Sequence, residues 1–360
     1  MKPSLTAAPA FPAPPPDAAA AAGPEQGEFA LPPAPQPVRS GDLRALDLFA
    51  GIGGLSAGFA QEGFIVTGVD AERVAGAVYA GAGFGMARQQ DLGTDPFHAE
   101  SPVVIGGPPC RPWSAVNVQR RRASHPDHGL LAGFLDHVRA IRPEVFVMEN
   151  VPPLMSDADY IEGIRRLREH YDVQAHVLHY DRFGAATRRR RLFTVGVRGA
   201  GRGAHHFFQL LAAEQAPART VGDVIRHLRD CPRGGRPDHD WSELRSIGKY
   251  RDWYADNRFG WRQLDYDAPA PSFGSVAKTY ILHPEAGRDG FPERVVSVRE
   301  VLAITGFDER VRFPDGTPRA LRYQMAANAV SPQVSRAVAA AVRRLLSGAV
   351  KHAPADSQLR

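Results

Sequence analysis

Two short segments carry residues able to do covalent chemistry. The first, Gly106-Gly107-Pro108-Pro109-Cys110-Arg111-Pro112-Trp113-Ser114, follows the apolar run Val103-Val104-Ile105, so a predicted strand feeds a loop stiffened by proline. A lone cysteine is usually a small buried hydrophobe. Held by prolines at the rim of a cleft, its thiolate is instead a candidate nucleophile. The second segment, Met148-Glu149-Asn150-Val151-Pro152-Pro153, continues the apolar run Val145-Phe146-Val147 and brings a carboxyl group to a strand end. A glutamate there is ordinarily solvated. If the two runs are strands of one parallel sheet, however, Cys110 and Glu149 leave it at the same edge, where open α/β sheets bind ligands. A thiol and a carboxyl from neighbouring strands then form a candidate catalytic pair.

A separate signal lies upstream. Asp47-Leu48-Phe49-Ala50-Gly51-Ile52-Gly53-Gly54-Leu55 sets glycines between a predicted strand and a predicted helix over Leu55–Gln61. Such a turn lets the backbone approach a ligand and point N–H groups at it, although alone it marks only a compact turn. The next run, Ile65-Val66-Thr67-Gly68-Val69, ends at Asp70, whose carboxylate is placed to accept hydrogen bonds from both hydroxyls of a ribose. Together the glycines and Asp70 favour an adenosine-containing cofactor. The spacing leaves a dinucleotide and S-adenosylmethionine both open, but the phosphate-binding form of the fingerprint is absent. Asp91 is a candidate for the adenine amino group, against the simpler reading of a solvated loop residue.

These positions need a framework to hold them. The apolar runs at Ala45–Phe49, Ile65–Val69, Val103–Ile105, Val145–Met148 and Leu192–Gly196, separated by amphipathic segments, predict an α/β fold with a parallel sheet wrapped by helices. The 360 residues, 43% of them hydrophobic, suffice for one large domain or for a medium and a small one. Residues 1–40, rich in Ala and Pro, read as a disordered tail. Residues 41–197 read as the main domain, 198–294 as a small second domain rich in Arg, Asp, Trp and Gly, and 295–347 as a segment returning to the first. Val334–Leu346 is predicted as a helix, and residues 348–360 as a frayed end.

Composition narrows the function classes. The 44 Lys+Arg against 39 Asp+Glu give a formal charge of only +5, which proves nothing alone but allows a basic face toward an acidic polymer. The two cysteines, Cys110 and Cys231, form neither a disulfide framework nor a zinc pattern, which suits the cytoplasm, and no metal is expected. No run has the ~20 apolar residues of a membrane span, and no secretory leader is visible.

The chain resembles the DNA (cytosine-5) methyltransferase family. The resemblance runs in order through Phe49-Ala50-Gly51-Ile52-Gly53-Gly54, Gly107-Pro108-Pro109-Cys110, Glu149-Asn150-Val151, Arg189-Arg190-Arg191, Ser297-Val298-Arg299-Glu300 and Asn328-Ala329-Val330. It implies a Rossmann-like S-adenosylmethionine-dependent methyltransferase domain with a small target-recognition domain over 198–294, acting on double-stranded DNA, with restriction-modification or phage defence as its setting. It also implies roles: Cys110 adds to cytosine C6, Glu149 protonates N3, and Asn150 organises the loop. Arg189 and Arg191 would hold the base and the catalytic loop. Phe49, Gly51, Gly53, Gly54, Asp70, Asp91 and Asn328 would surround S-adenosyl-L-methionine. Thr187, Met325 and Ala327 depart from the Gln, Gln and Gly usual in the family, and Arg190 stands where an acidic or polar residue is common.

A base inside a duplex cannot reach a cleft nucleophile, so the resemblance also implies base flipping. The run Arg120-Arg121-Arg122, with Asn117, His125 and His128 around it, has the composition of a loop that clamps phosphates, against the reading of a solvated charge run. In the small domain Arg245, Lys249, Arg251, Arg258 and Arg262 are candidates for the major groove, whereas Trp253, Tyr254 and Trp261 read as its core. Two rivals stand beside this reading. One is an RNA cytosine-5 methyltransferase built on the same residues, the other a catalytically idle DNA-binding regulator.

Overall fold

The computed structural model describes residues 43–93, 99–109, 125, 127, 129–199, 201–242, 251–256, 261–273 and 281–352. Cys110, Asn117, Arg120, Arg121, Arg122, His128, Arg245, Lys249, Arg258, the expected tail at 1–40 and residues 353–360 of the end expected to fray from 348 lie outside them. Strands and helices first alternate: β1 (Arg44–Leu48), α1 (Gly54–Gln61), β2 (Ile65–Asp70), α2 (Arg73–Ala82), β3 (Met86–Gln89), β4 (Val103–Gly106), α3 (Gly129–Ile141), β5 (Val145–Asn150), α4 (Ala158–Leu167), β6 (Tyr171–His179) and β7 (Arg190–Arg198). There follow α5 (Gly203–Ala212), α6 (Val221–Ile225), α7 (Arg251–Ala255), β8 (Arg262–Gln263), β9 (Ile281–Leu282), α8 (Val298–Thr305), α9 (Arg319–Asn328) and α10 (Pro332–His352).

Seven strands form one sheet in the order β3-β2-β1-β4-β5-β7-β6, with only β7 antiparallel to its neighbours. Because side chains alternate along a strand, each face receives every second residue. Ala45, Val66, Val103, Ile105, Val145, Val147, Phe193 and Val195 pack on α1, α5 and α10. Leu46, Leu48, Val69, Val104, Phe146, Met148 and Leu192 pack on α3 and α4. Strands covered on both faces must be apolar throughout, which is why the runs at β4 and β5 are continuous.

The last helices close on the first. A Cβ at Gly54 would run into the Val330 carbonyl oxygen and one at Gly58 into the Arg336 nitrogen, so α1 meets the lead-in and first turns of α10 backbone to backbone. Ser297-Val298-Arg299-Glu300 is a reciprocal cap: Glu300 N donates to Ser297 Oγ at 3.1 Å and Ser297 N donates to Glu300 Oε2 at 2.7 Å, which starts α8. Arg294 forks onto the same carboxylate at 2.7 and 2.8 Å, stacked over Trp241. His283, buried beside this pair, is pushed down to about 4 by burial and so stays neutral.

Between α7 and α8 a small cluster of Tyr254, Trp261, Leu282, Ala286 and Val295, with Trp241 and Trp253 against it, packs around the paired strands β8 and β9. The aromatic residues expected to serve a core do so here, with Trp253 and Tyr254 edge-on to Trp261 at 5.5 and 5.1 Å. Helix α10 runs on past Ser347 to His352. No helix among the described residues is long and apolar enough to cross a membrane.

Candidate active site

The carboxyl ends of β1, β4 and β5 stand in a row, with Leu48 opposite Gly106 and Gly106 opposite Met148. The sheet order reverses between β1 and β4, and that reversal opens a crevice at this edge. Glu149 lies one residue further along β5, 7% exposed. Its Oε1 is 3.0 Å from Arg191 Nε and accepts a hydrogen bond from the Tyr180 hydroxyl at 3.3 Å. Burial keeps the Tyr180 hydroxyl far above the usual phenol range, so it acts as a neutral donor. The other oxygen, Oε2, is turned toward the β4 loop, where a Cβ at Gly107 would lie 3.3 Å from it.

Asn150 locks that loop. Its Nδ2 donates to the Pro108 carbonyl at 3.0 Å, while its Oδ1 accepts from Val151 N at 2.8 Å. The backbone two residues before Cys110 is thus tied to the strand that carries Glu149. Pro109 is the last residue described before the nucleophile candidate.

Arg189 and Arg191 part company in space. Arg191, in β7, reaches Glu149, whereas Arg189, one residue before the strand, donates to the carbonyls of Ala327 and, at 2.8 Å, Asn328. These are carbonyls at the C-terminal end of α9, where helices leave acceptors unfilled and favour a cation. Arg189, 5% exposed, thereby ties the last helices to the lead-in of β7, with its guanidinium 5.9 Å from the Tyr180 ring. Two departures from the family pattern sit at this junction. Thr187 Oγ1 donates to the Pro271 carbonyl at 3.4 Å, and Ala327 supplies a carbonyl to Arg189.

The cofactor candidates line the neighbouring half of the edge. Phe49 has φ 61°, a left-handed conformation rare for a bulky residue, and Gly51 and Gly53 follow at φ 54° and 87°. A Cβ at Gly51 would meet nothing within 4 Å, so the outer side of the turn is open. Asp70 braces the turn from β2: Oδ2 accepts from Gly51 N and Oδ1 from Glu72 N, both at 2.8 Å. Burial raises its pKa, opposed by these two hydrogen bonds. Asp91 stands two residues beyond β3, exposed, with Oδ1 accepting from Gly93 N at 2.9 Å. Asn328 is exposed at the end of α9, two residues before the Val330 carbonyl that abuts Gly54.

Room at Gly51, an acidic group beside it and a polar residue at each flank fit the adenosyl part of S-adenosylmethionine. Asp70→Ala is therefore expected to weaken binding of that cofactor by ~1.5–3 kcal/mol, through loss of charged hydrogen bonds and of the brace on Gly51. Calorimetry checks this, and an unchanged affinity places the carboxylate outside the pocket.

Tyr180 was not singled out by its sequence. Nothing in the spacing of Val177-Leu178-His179-Tyr180 points to Glu149, because the contact arises only when β7 lies between β6 and β5. His125 pairs locally, with Nδ1 accepting from Asp127 N at 3.1 Å. Among the described residues no group of three or more His, Cys, Asp and Glu side chains could hold a metal ion.

Comparison with known proteins gives the family and the fold. The type II methyltransferase M.AplI of Arthrospira platensis is 27% identical over 331 residues, covering 84% of this chain and 86% of that protein. M1.HphI of Haemophilus parahaemolyticus, also a type II methyltransferase, is 28% identical over 340 residues, covering 84% and 87%. Among solved structures, the S. pombe Dnmt2 methyltransferase superposes with a TM-score of 0.63 at 17% identity, over 85% of this chain and 99% of that one. The fold is that of S-adenosylmethionine-dependent methyltransferases. A family model for C-5 cytosine-specific DNA methylases matches residues 43–344, and the chain belongs to that family, as a DNA cytosine-5 methyltransferase.

Proposed function

We propose that this enzyme methylates cytosine C5 in double-stranded DNA through a covalent adduct of Cys110 with a base flipped out of the helix. The observation that carries the reading is the placement of Glu149. Its carboxyl is held by Arg191 and Tyr180 on one oxygen and faces the Gly107–Pro109 loop with the other, next to the residue that would bear the thiolate.

Cytosine C5 is a poor nucleophile. Addition of the Cys110 thiolate to C6 forms an S–C6 bond and pushes an electron pair toward N3, where the Glu149 carboxyl delivers a proton, leaving an enamine-like C5. S-adenosylmethionine, when bound, supplies the methyl group as an electrophile on a positively charged sulfur. Loss of the C5 proton to a base then expels the Cys110 thiolate, and the N3 proton returns to the Glu149 carboxylate, which restores the neutral aromatic ring. Phe49, Gly51, Gly53, Gly54, Asp70, Asp91 and Asn328 are the residues that would hold the cofactor beside that base. Asn150 fixes the loop, and Arg120, Arg121 and Arg122 are proposed to face backbone phosphates, which position the protein without reading sequence.

In this reading residues 198–294 form the target-recognition part, around the small aromatic cluster. The curated relatives named as type II methyltransferases support a place in restriction-modification or another form of phage defence. Bisulfite or nanopore sequencing of DNA from a host expressing the chain tests the proposal, since it reports activity and target sequence together. Labelled methyl transfer to duplex DNA, with none to total tRNA, is expected. Transfer to tRNA alone, or to neither, overturns the reading.

A further inference from the structure

The turn that faces the cofactor has no cap of its own. Gly53 occupies the N-cap of α1 and offers no side chain, so the first N–H groups of that helix need a partner from elsewhere. Asp47, fully buried in β1, provides it: its Oδ2 accepts from Ser56 N at 3.2 Å and from Ser56 Oγ at 2.6 Å. The chain continues outward, because the Tyr79 hydroxyl on α2 donates to Ser56 Oγ at 2.8 Å. Burial pushes the Asp47 carboxyl up to about 7 against the pull of Ser56, and raises the Tyr79 hydroxyl far above the ordinary phenol range. The other Asp47 oxygen is buried with no hydrogen-bond partner among the described residues, so Ser56 is the contact that holds this carboxyl.

The Tyr79 ring closes the arrangement. A Cβ at Gly53 would lie 3.0 Å from its Cδ2, and one at Gly68 in β2 would lie 2.5 Å from its Cε2. Gly68 comes two residues before Asp70, the brace on Gly51. One side chain, 1% exposed, therefore touches the end of the turn, the strand that carries the brace, and, through its hydroxyl, the remote cap of α1. No part of the proposed reaction uses it.

We infer that Tyr79 is a positioning residue for the cofactor turn, acting through Ser56 and Asp47 to fix the glycine backbone on one side and Asp70 on the other. The inference rests on the reading of that turn as the S-adenosylmethionine site. Removing the hydroxyl leaves the shape of the ring but frees Ser56 and, behind it, the Asp47 carboxyl that caps α1. Cofactor affinity should fall while the Cys110 and Glu149 half of the edge, built on β4 and β5, is untouched.

Tyr79→Phe and Ser56→Ala, singly and combined, test this by calorimetry with S-adenosylmethionine, together with DNA affinity, kcat at saturating cofactor and the melting temperature. Each single variant is expected to raise the cofactor Kd about tenfold, with kcat and DNA affinity within about twofold of wild type. The double variant should bind no worse than the weaker single one, because both changes cut the same chain. A Tyr79→Phe Kd within about twofold of wild type, multiplying effects in the double variant, or a parallel fall in kcat and DNA affinity would overturn the inference. If Tyr79→Phe does not fold, Ser56→Ala decides it by the same criteria. Wild-type protein titrated alongside separates the two levels: failure of the wild type to bind S-adenosylmethionine overturns the cofactor reading itself, and the inference with it.

Discussion

Replacing Cys110 by serine is expected to lower methyl transfer by at least about 10³-fold, the scale on which enzymes lose rate when a covalent nucleophile is removed. A hydroxyl at this position keeps the size of the side chain but is almost never ionised at working pH, so no S–C6 bond forms and C5 stays unreactive. Cofactor affinity should change little. The turn from Phe49 to Gly53 and its brace at Asp70 belong to β1 and β2, on the far side of β4 from Glu149. A chemical trap separates loss of the nucleophile from loss of folding. DNA with fluorine in place of hydrogen at cytosine C5 can be attacked and methylated but has no C5 proton to lose, so the adduct cannot be resolved. Wild-type protein should form a complex with this DNA that survives denaturation, and Cys110→Ser should form none. Appreciable methylation by the serine variant would remove Cys110 from the role.

The sheet edge that carries Glu149 is largely legible in the sequence because chemistry and burial coincide there. Five of the seven strands sit under two helical layers, and the unbroken apolar runs of β4 and β5 also announce where the chain must emerge after Gly106 and near Glu149. The two strands not anticipated lie at the sheet's ends. β3, Met86-Ala87-Arg88-Gln89, is largely exposed and carries no apolar run, whereas β6 alternates apolar and polar residues from Tyr171 to Val177, a half-buried pattern weaker than its neighbours'. Contacts made across the chain were beyond reach for a different reason. Arg189 and Arg191 are two residues apart and of one type, yet one holds carbonyls at 327 and 328 and the other the Glu149 carboxyl. Which goes where is decided by how α9 docks, and no spacing records that. The same holds for Tyr180 and for the chain from Tyr79 to Asp47, whose members come from three elements.

Glu149→Gln is expected to lower kcat by ~10²–10⁴-fold, the range over which a positioned proton donor contributes. The amide has the volume of the acid and can still accept from Arg191 Nε and the Tyr180 hydroxyl through its oxygen, so the pocket keeps its shape. What it cannot do is give up a proton to N3 as the thiolate adds. Without that proton the electron pair pushed into the ring has nowhere to settle, and addition at C6 is uphill. Binding of DNA and of S-adenosylmethionine should stay near wild type. With the fluorinated DNA the adduct should still appear, but slowly, because Cys110 is intact. Tyr180→Phe sets the scale for orientation alone: it removes one hydrogen bond to Oε1 and should cost only about 3–10-fold. If Glu149→Gln loses no more than Tyr180→Phe, the carboxyl merely shapes the pocket, and the proton at N3 must come from another group or from water.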